Sequence, residues 1–146
     1  MSDANTADIL KALLREEQKS LAPRLNEATL FISPEAVEEQ FLVQRMAAAC
    51  RENCEKLNDA IFDLQDVPWP PTVDVSTADL HYQEMHHVLP RLVADQESLV
   101  RAYESAGGRI RGNPRASALV TSILEQHRAD LEALHALRNL APQAAQ

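Results

Sequence analysis

Residues 66–76 read DVPWPPTVDVS, and Pro68, Pro70 and Pro71 hold this stretch extended. Proline fixes φ near about −65° and donates no backbone hydrogen bond, so the segment cannot coil into a helix. At ~3.3 Å per residue its length is ~36 Å. That is most of the ~45 Å spanned by a helix of about 30 residues. If the chain on either side is helical, this link is long enough to return along a whole bundle. It therefore separates a crossover topology from a simple up-and-down one.

The flanking chain does read as helices. SPEA places Ser33 as an N-cap with Pro34 at the first helical position, and NPRA repeats the arrangement with Asn113 and Pro114. STAD sets Ser76 against Asp79 in the manner of a capping box. Apolar residues recur at three and four between these starts, which predicts amphipathic helices over residues 6–31, 34–65, 77–106 and 114–140. Pro23 and Pro90 lie inside two of them and should bend or break the helix one turn upstream. A two- or three-residue link near Ser33 makes the first pair antiparallel neighbours, and the glycine cluster AGGRIRGNP does the same for the second pair. Trp69, set among prolines, is expected to anchor the crossover against the bundle, and a ligand-stacking role is the weaker reading.

Composition agrees with this reading. The 146 residues are enough for one domain that buries roughly 70% of its unfolded surface. Aromatics are only 4% and the three glycines fall in one short window, a pattern that suits long helices better than strands. The formal charge of −8, from 22 acidic and 14 basic residues, repels phosphate backbones and argues against nucleic acid as a partner. No window approaches a membrane span and the N-terminus lacks a signal-peptide layout, so a soluble cytoplasmic protein is expected. Cys50 and Cys54 are four apart on a predicted helix, a spacing that does not favour a disulfide, and both are expected as thiols.

Each predicted helix carries a polar residue within its apolar stripe: Glu17 in the first, Asn53 with Cys50 beside it in the second, Gln96 in the third and His127 in the fourth. With the crossover, the helix passages AACRENCEKLNDAIFDL (residues 48–64) and LVRAYESAGGRIRGNPRASALVTSILEQHRADLEALHAL (residues 99–137) resemble the ferritin-like superfamily. The second passage looks most like the last two helices of its DNA-protecting members. The resemblance implies an all-α, ferritin-like four-helix bundle of residues 1–146, two antiparallel hairpins joined by the 66–76 crossover, and homo-oligomeric assembly.

Ferritin-like di-iron proteins take one Glu from each of two helices and a Glu-x-x-His from each of the other two. Carboxylates neutralise two cations, and the three-residue spacing puts Glu and His on one face. In this chain Glu17 and His127 keep the family's residue type. Cys50 and Asn53 stand where Glu and His would, Gln96 where Glu would, and Leu124 where the glutamate before His127 would. One carboxylate and one imidazole leave two buried cations uncompensated. A degenerate di-iron site is expected, in a non-catalytic structural or binding protein with no cofactor.

Three readings of the interior remain open. One is a buried hydrogen-bond network of Glu17, Asn53, Gln96 and a protonated His127. The second is an iron or manganese site using Glu17 and His127 with Cys50 or Asp130, with ferroxidase-type storage or oxidation as its activity. The third is a small molecule or partner helix held between the second and third helices. The Glu-x-x-His spacings at Glu84–His87 and Glu132–His135 fall on expected solvated faces, and His81, Glu84, His86 and His87 would at most catch surface zinc or nickel.

Overall fold

A computed structural model of the protein describes residues 2–27, 37–71 and 85–144. They are all-helical, with no strand among them. The elements are α1 (Ser2–Gln18), α2 (Leu21–Glu27), α3 (Val37–Asp63), α4 (Met85–Arg109) and α5 (Pro114–Ala144). The two short helices α1 and α2 continue one another, so four helical rods pack together. The caps expected at Ser33 and Ser76–Asp79 lie outside the described residues.

The break between α1 and α2 follows from Pro23. Its missing N–H would have bonded the carbonyl of Lys19, four residues back, and the helix stops there, one turn upstream. Side chains fill the resulting gaps. Arg24 donates to the Lys19 carbonyl at 3.4 Å. Leu21 N–H, an orphan donor of the new helix start, reaches the Asp95 carboxylate of α4 at 3.0 Å. Pro90, by contrast, does not end α4, which runs on through it. Nor do Gly107 and Gly108 end α4 where their composition suggests. The helix extends to Arg109, with Ile110 buried just beyond, and a Cβ at Gly107 would meet Val120 of α5 at 3.9 Å, ordinary contact. At the start of α5, Asn113 Oδ1 accepts from Ala116 N–H at 3.0 Å, the N-cap its position implies.

At its far end α3 closes in a Schellman arrangement. Gln65 N–H bonds the Phe62 carbonyl at 2.9 Å, Asp66 N–H bonds the Ile61 carbonyl at 3.2 Å, and Gln65 takes φ 60°. The chain is thereby turned back alongside α1. Asp66 pairs with Lys11 at 2.8 Å, and Trp69 lies with the Arg15 guanidinium 4.9 Å and the Lys11 ammonium 5.9 Å from its ring centre. The Lys11 ammonium holds the Asp66 carboxyl below the usual range. From Asp66 to Pro70 the segment advances along α1 from Lys11 to Arg15. Residues 72–84, including the rest of the proposed crossover, lie outside the described residues.

Rods α1/α2 pack on α3 and α4, and α5 packs on the same two. Lys11 meets Asp66 and Glu17 meets Asn53, so α1 and α3 run antiparallel. Asp95 touches Leu21 and Tyr103 touches Glu17, which makes α1 and α4 antiparallel too. Glu97 faces His135 and Glu104 faces Arg128, giving the same sense to α4 and α5. Two apolar clusters fill the interior. One gathers Leu21, Leu25, Met46, Leu92 and Leu134, and the other gathers Leu10, Leu13, Leu57, Tyr103 and Val120.

Asp95 tests this account of the helix break. Burial raises its carboxyl pKa against the opposing pull of the Leu21 hydrogen bond and Arg24. A raised folded pKa favours the native state below the usual carboxylate range and costs stability as pH climbs through the folded value. Asp95→Asn keeps an acceptor for Leu21 and should match or exceed the wild type near neutral pH, with the difference closing in acid. Asp95→Ala loses the cap and should cost about 1 kcal/mol. Urea melts of the two variants across pH measure both.

Candidate functional site

Between the two apolar clusters lies one polar layer. Glu17 in α1, Cys50 and Asn53 in α3, Gln96 in α4, and His127 and Asp130 in α5 are all buried, and Glu17 is 0% exposed. In each rod the layer falls between the residues of one cluster and those of the other.

Glu17 is its centre. Its Oε1 accepts from Tyr103 Oη at 2.6 Å, from the His127 ring through Nε2, and from Asn53 Nδ2 at 3.4 Å. These donors come one from each of α4, α5 and α3. Oε2 is buried and has no hydrogen-bond partner. Behind the imidazole, Gln96 Nε2 lies 3.0 Å from the His127 carbonyl oxygen and 3.2 Å from its Nδ1. A carbonyl oxygen only accepts, so that Gln96 atom is the amide nitrogen, and its second hydrogen is directed at Nδ1. Nδ1 is thus an acceptor, which places the ring proton on Nε2, facing Glu17. The sequence reading paired Glu17 with a protonated His127, and the two side chains meet through Oε1 and Nε2.

A second branch leads outward. Asn53 Nδ2 donates to Gln126 Oε1 at 2.9 Å, Gln126 Nε2 donates to Asp130, and Arg45 donates to Asp130 at 3.2 Å. Asp130 is therefore tied to Gln126 and Arg45 rather than to Glu17 or His127. Cys50 serves the helix break. Its Sγ lies 3.1 Å from the Glu17 carbonyl oxygen, which also accepts from Ser20 N–H at 3.1 Å. The sulfur of Cys54 beside it, its burial and the Glu17 carboxylate push the Cys50 thiol pKa up. The same contact lowers that of Cys54. Both cysteines are free thiols.

Sequence reasoning brought Glu17, Asn53, Gln96 and His127 to the interior but passed over Tyr103, Gln126 and Arg45. Tyr103 lies seven residues after Gln96, which puts its hydroxyl on the same face. Gln126 and Asp130 carry the i, i+4 spacing of a polar helix pair.

The donor set does not suit a two-metal centre. Around Glu17 it offers one carboxylate, one imidazole whose Nε2 faces that carboxylate, and the amides of Asn53 and Gln96. No group of three or more His, Cys, Asp or Glu able to hold a metal occurs among the described residues. Of the outer Glu-x-x-His pairs, Glu132 is exposed and His135 faces Glu97 at 3.9 Å. His81 and Glu84 lie outside the described residues, as does the side chain of His86, while His87 is exposed. Two clefts border α3 and α5. One, of about 360 Å³, is lined by Leu10, Ala60, Leu64, Lys56 and Arg115 among others. The other, of about 510 Å³, is lined by Phe41, Leu42, Ala133, Ala136 and Leu137 with Glu38 and Arg45 at its rim. No described helix is long and apolar enough to cross a membrane. Compared with known proteins, the chain matches no family model, no curated protein and no solved structure.

Tyr103 provides the test of the layer. Burial, and then the charge and hydrogen bond of Glu17, raise its pKa above the ordinary value of 10.0. Tyr103→Phe removes one donor from a buried carboxylate and should cost about 1.5 to 3 kcal/mol at neutral pH. Because the folded pKa is raised, the native state keeps its proton while the unfolded chain begins to lose one near pH 10. Wild-type stability should fall from there upward by about 1.4 kcal/mol per pH unit relative to the variant. Denaturant titrations on both sides of that pH check the crossing trend.

Proposed function

We propose that the chain is a ferritin-like four-helix bundle, two antiparallel hairpins joined by a crossover at residues 66–76. In it a hydrogen-bonded core replaces the di-iron site. It acts as a non-catalytic structural or binding protein that self-associates. The observation that carries this reading is the occupation of Glu17 Oε1 by three hydrogen-bond donors, where a metal-binding carboxylate would keep its lone pairs for cations. The packing order supports the topology. With α3 antiparallel to α1, and α4 antiparallel to α1 as well, α3 and α4 are parallel, and parallel consecutive helices need a link as long as the bundle. The path of Asp66 to Pro70 along α1 has the direction such a link requires.

One observation favours a second reading, an iron- or manganese-binding member of the same fold. Glu17 Oε2 is buried without a partner beside His127, and a single cation would compensate that charge.

Metal analysis of untagged protein, followed by anomalous scattering after a ferrous soak, separates the two. No internal peak is expected, and a metal bound by Glu17 and His127 would sink the non-metal reading. The fold assignment has its own test. Cys50→Glu, Asn53→His, Gln96→Glu and Leu124→Glu together rebuild the family's ligand set around Glu17 and His127. The combined variant should take up about two ferrous ions per chain. A folded variant indifferent to iron would remove the family placement.

A further inference from the structure

The groove between the start of α3 and the end of α5 has a property that a binding site for an unrelated partner would not need: it is complementary to itself. Its floor is apolar, with Leu42, Ala133, Ala136 and Leu137, and has a volume of about 510 Å³. At its edge stands Phe41, 65% exposed although aromatic, with Val37 exposed one turn before it. Knob and hole thus occupy one patch, the requirement for a two-fold, isologous contact.

The charges obey the same symmetry. Glu38 and Arg45 both line the groove, seven residues apart on one stripe of α3, with Phe41 and Leu42 midway between them. If two α3 helices cross antiparallel about a two-fold axis at Phe41 and Leu42, the acid at one end of each stripe meets the base at the other end of its mate. Two copies then form two such pairs, one on each side of the buried aromatics. A parallel arrangement would set acid against acid and base against base. Arg45 is preset for this, since Asp130 holds one of its nitrogens at 3.2 Å while the side chain stays 64% exposed.

We propose that this face binds a second copy of the chain, with Phe41 of each copy seated in the groove of the other and Glu38 facing Arg45 of the partner subunit. The inference rests on the self-association in the reading above and names its surface. Burying an aromatic in a desolvated pocket supplies most of the affinity, and the flanking pairs fix the antiparallel sense.

Sedimentation velocity over a concentration series tests it on the full chain, with circular dichroism melts to establish folding. The wild type should form dimers, and Phe41→Glu or Ala136→Glu should raise the dissociation constant by roughly thirtyfold or more. Glu38→Arg, which sets a cation against Arg45 of the partner subunit, should weaken the dimer. Glu38→Asp, which keeps the charge, should retain it. A wild type that stays monomeric at hundreds of micromolar overturns both this surface and self-association. A wild type that associates regardless of Phe41→Glu and Ala136→Glu overturns the surface alone. A dimer indifferent to Glu38→Arg overturns the antiparallel pairing. The metal analysis above decides the rest of the functional reading independently.

Discussion

A carboxylate with no exposed surface, Glu17, sets the constraint that the rest of the interior meets. Removing such a group from water costs several kcal/mol unless its charge is compensated by hydrogen bonds or a counterion. Here compensation comes from donors, and no two share an element: Asn53 from α3, Tyr103 from α4, His127 from α5. Apolar packing alone tolerates a helix sliding by a turn, since one leucine replaces another. A slide of any of these helices would leave Glu17 against leucine or valine, and the penalty for a buried unsatisfied group would apply in full. The layer thus fixes axial register for all four rods at once, while the two apolar clusters above and below it supply the bulk of the burial.

The same constraint decides the chemistry available. Metal ligation needs lone pairs, and those of Glu17 Oε1 and His127 are committed. Gln96 occupies the Nδ1 lone pair of His127, the ring proton points at Glu17, and Asn53 spends both amide hydrogens on Glu17 and Gln126. Amides at positions 53 and 96 are what make this closure work. Each can donate to an acceptor without adding to the negative charge of Glu17. Carboxylates at those positions would repel Glu17 and would need cations to stay buried. Oε2 is the one part of Glu17 that this arrangement leaves unsatisfied.

Much of this was legible in the sequence because it rests on periodicity and on proline. The stripes located Glu17, Asn53, Gln96 and His127, since a polar residue at a core position stands out against leucines at spacing three and four. Pro23 located the helix break, because the consequence of a missing N–H is local. What escaped depends on contacts between helices. Tyr103 reads as apolar until its hydroxyl is seen to face Glu17, and the ring proton of His127 is settled by a glutamine 31 residues earlier in the chain. Gly107 and Gly108 suggested a helix end, yet α4 persists, as packing against α5 and the burial of Ile110 outweigh a propensity cost of about 1 kcal/mol per glycine. A left-handed Gln65 is equally invisible, since that conformation favours glycine and a glutamine takes it only under the demands of the chain around it.

The outward branch joins the buried layer to the surface. Asn53, Gln126, Asp130 and Arg45 form a continuous run of hydrogen bonds that leads from an amide at 5% exposure to a guanidinium at 64%. Such a run has a structural logic of its own. Asp130 is buried and charged, so it needs a cation, and a cation on α3 can reach it while keeping much of its hydration only from the rim. Arg45 satisfies both conditions and, in doing so, has its guanidinium held beside Phe41 and the α3/α5 groove. The position of a surface charge is then set from within, by the groups that close the core, and the face carrying it has a defined pattern of charge without further ordering cost.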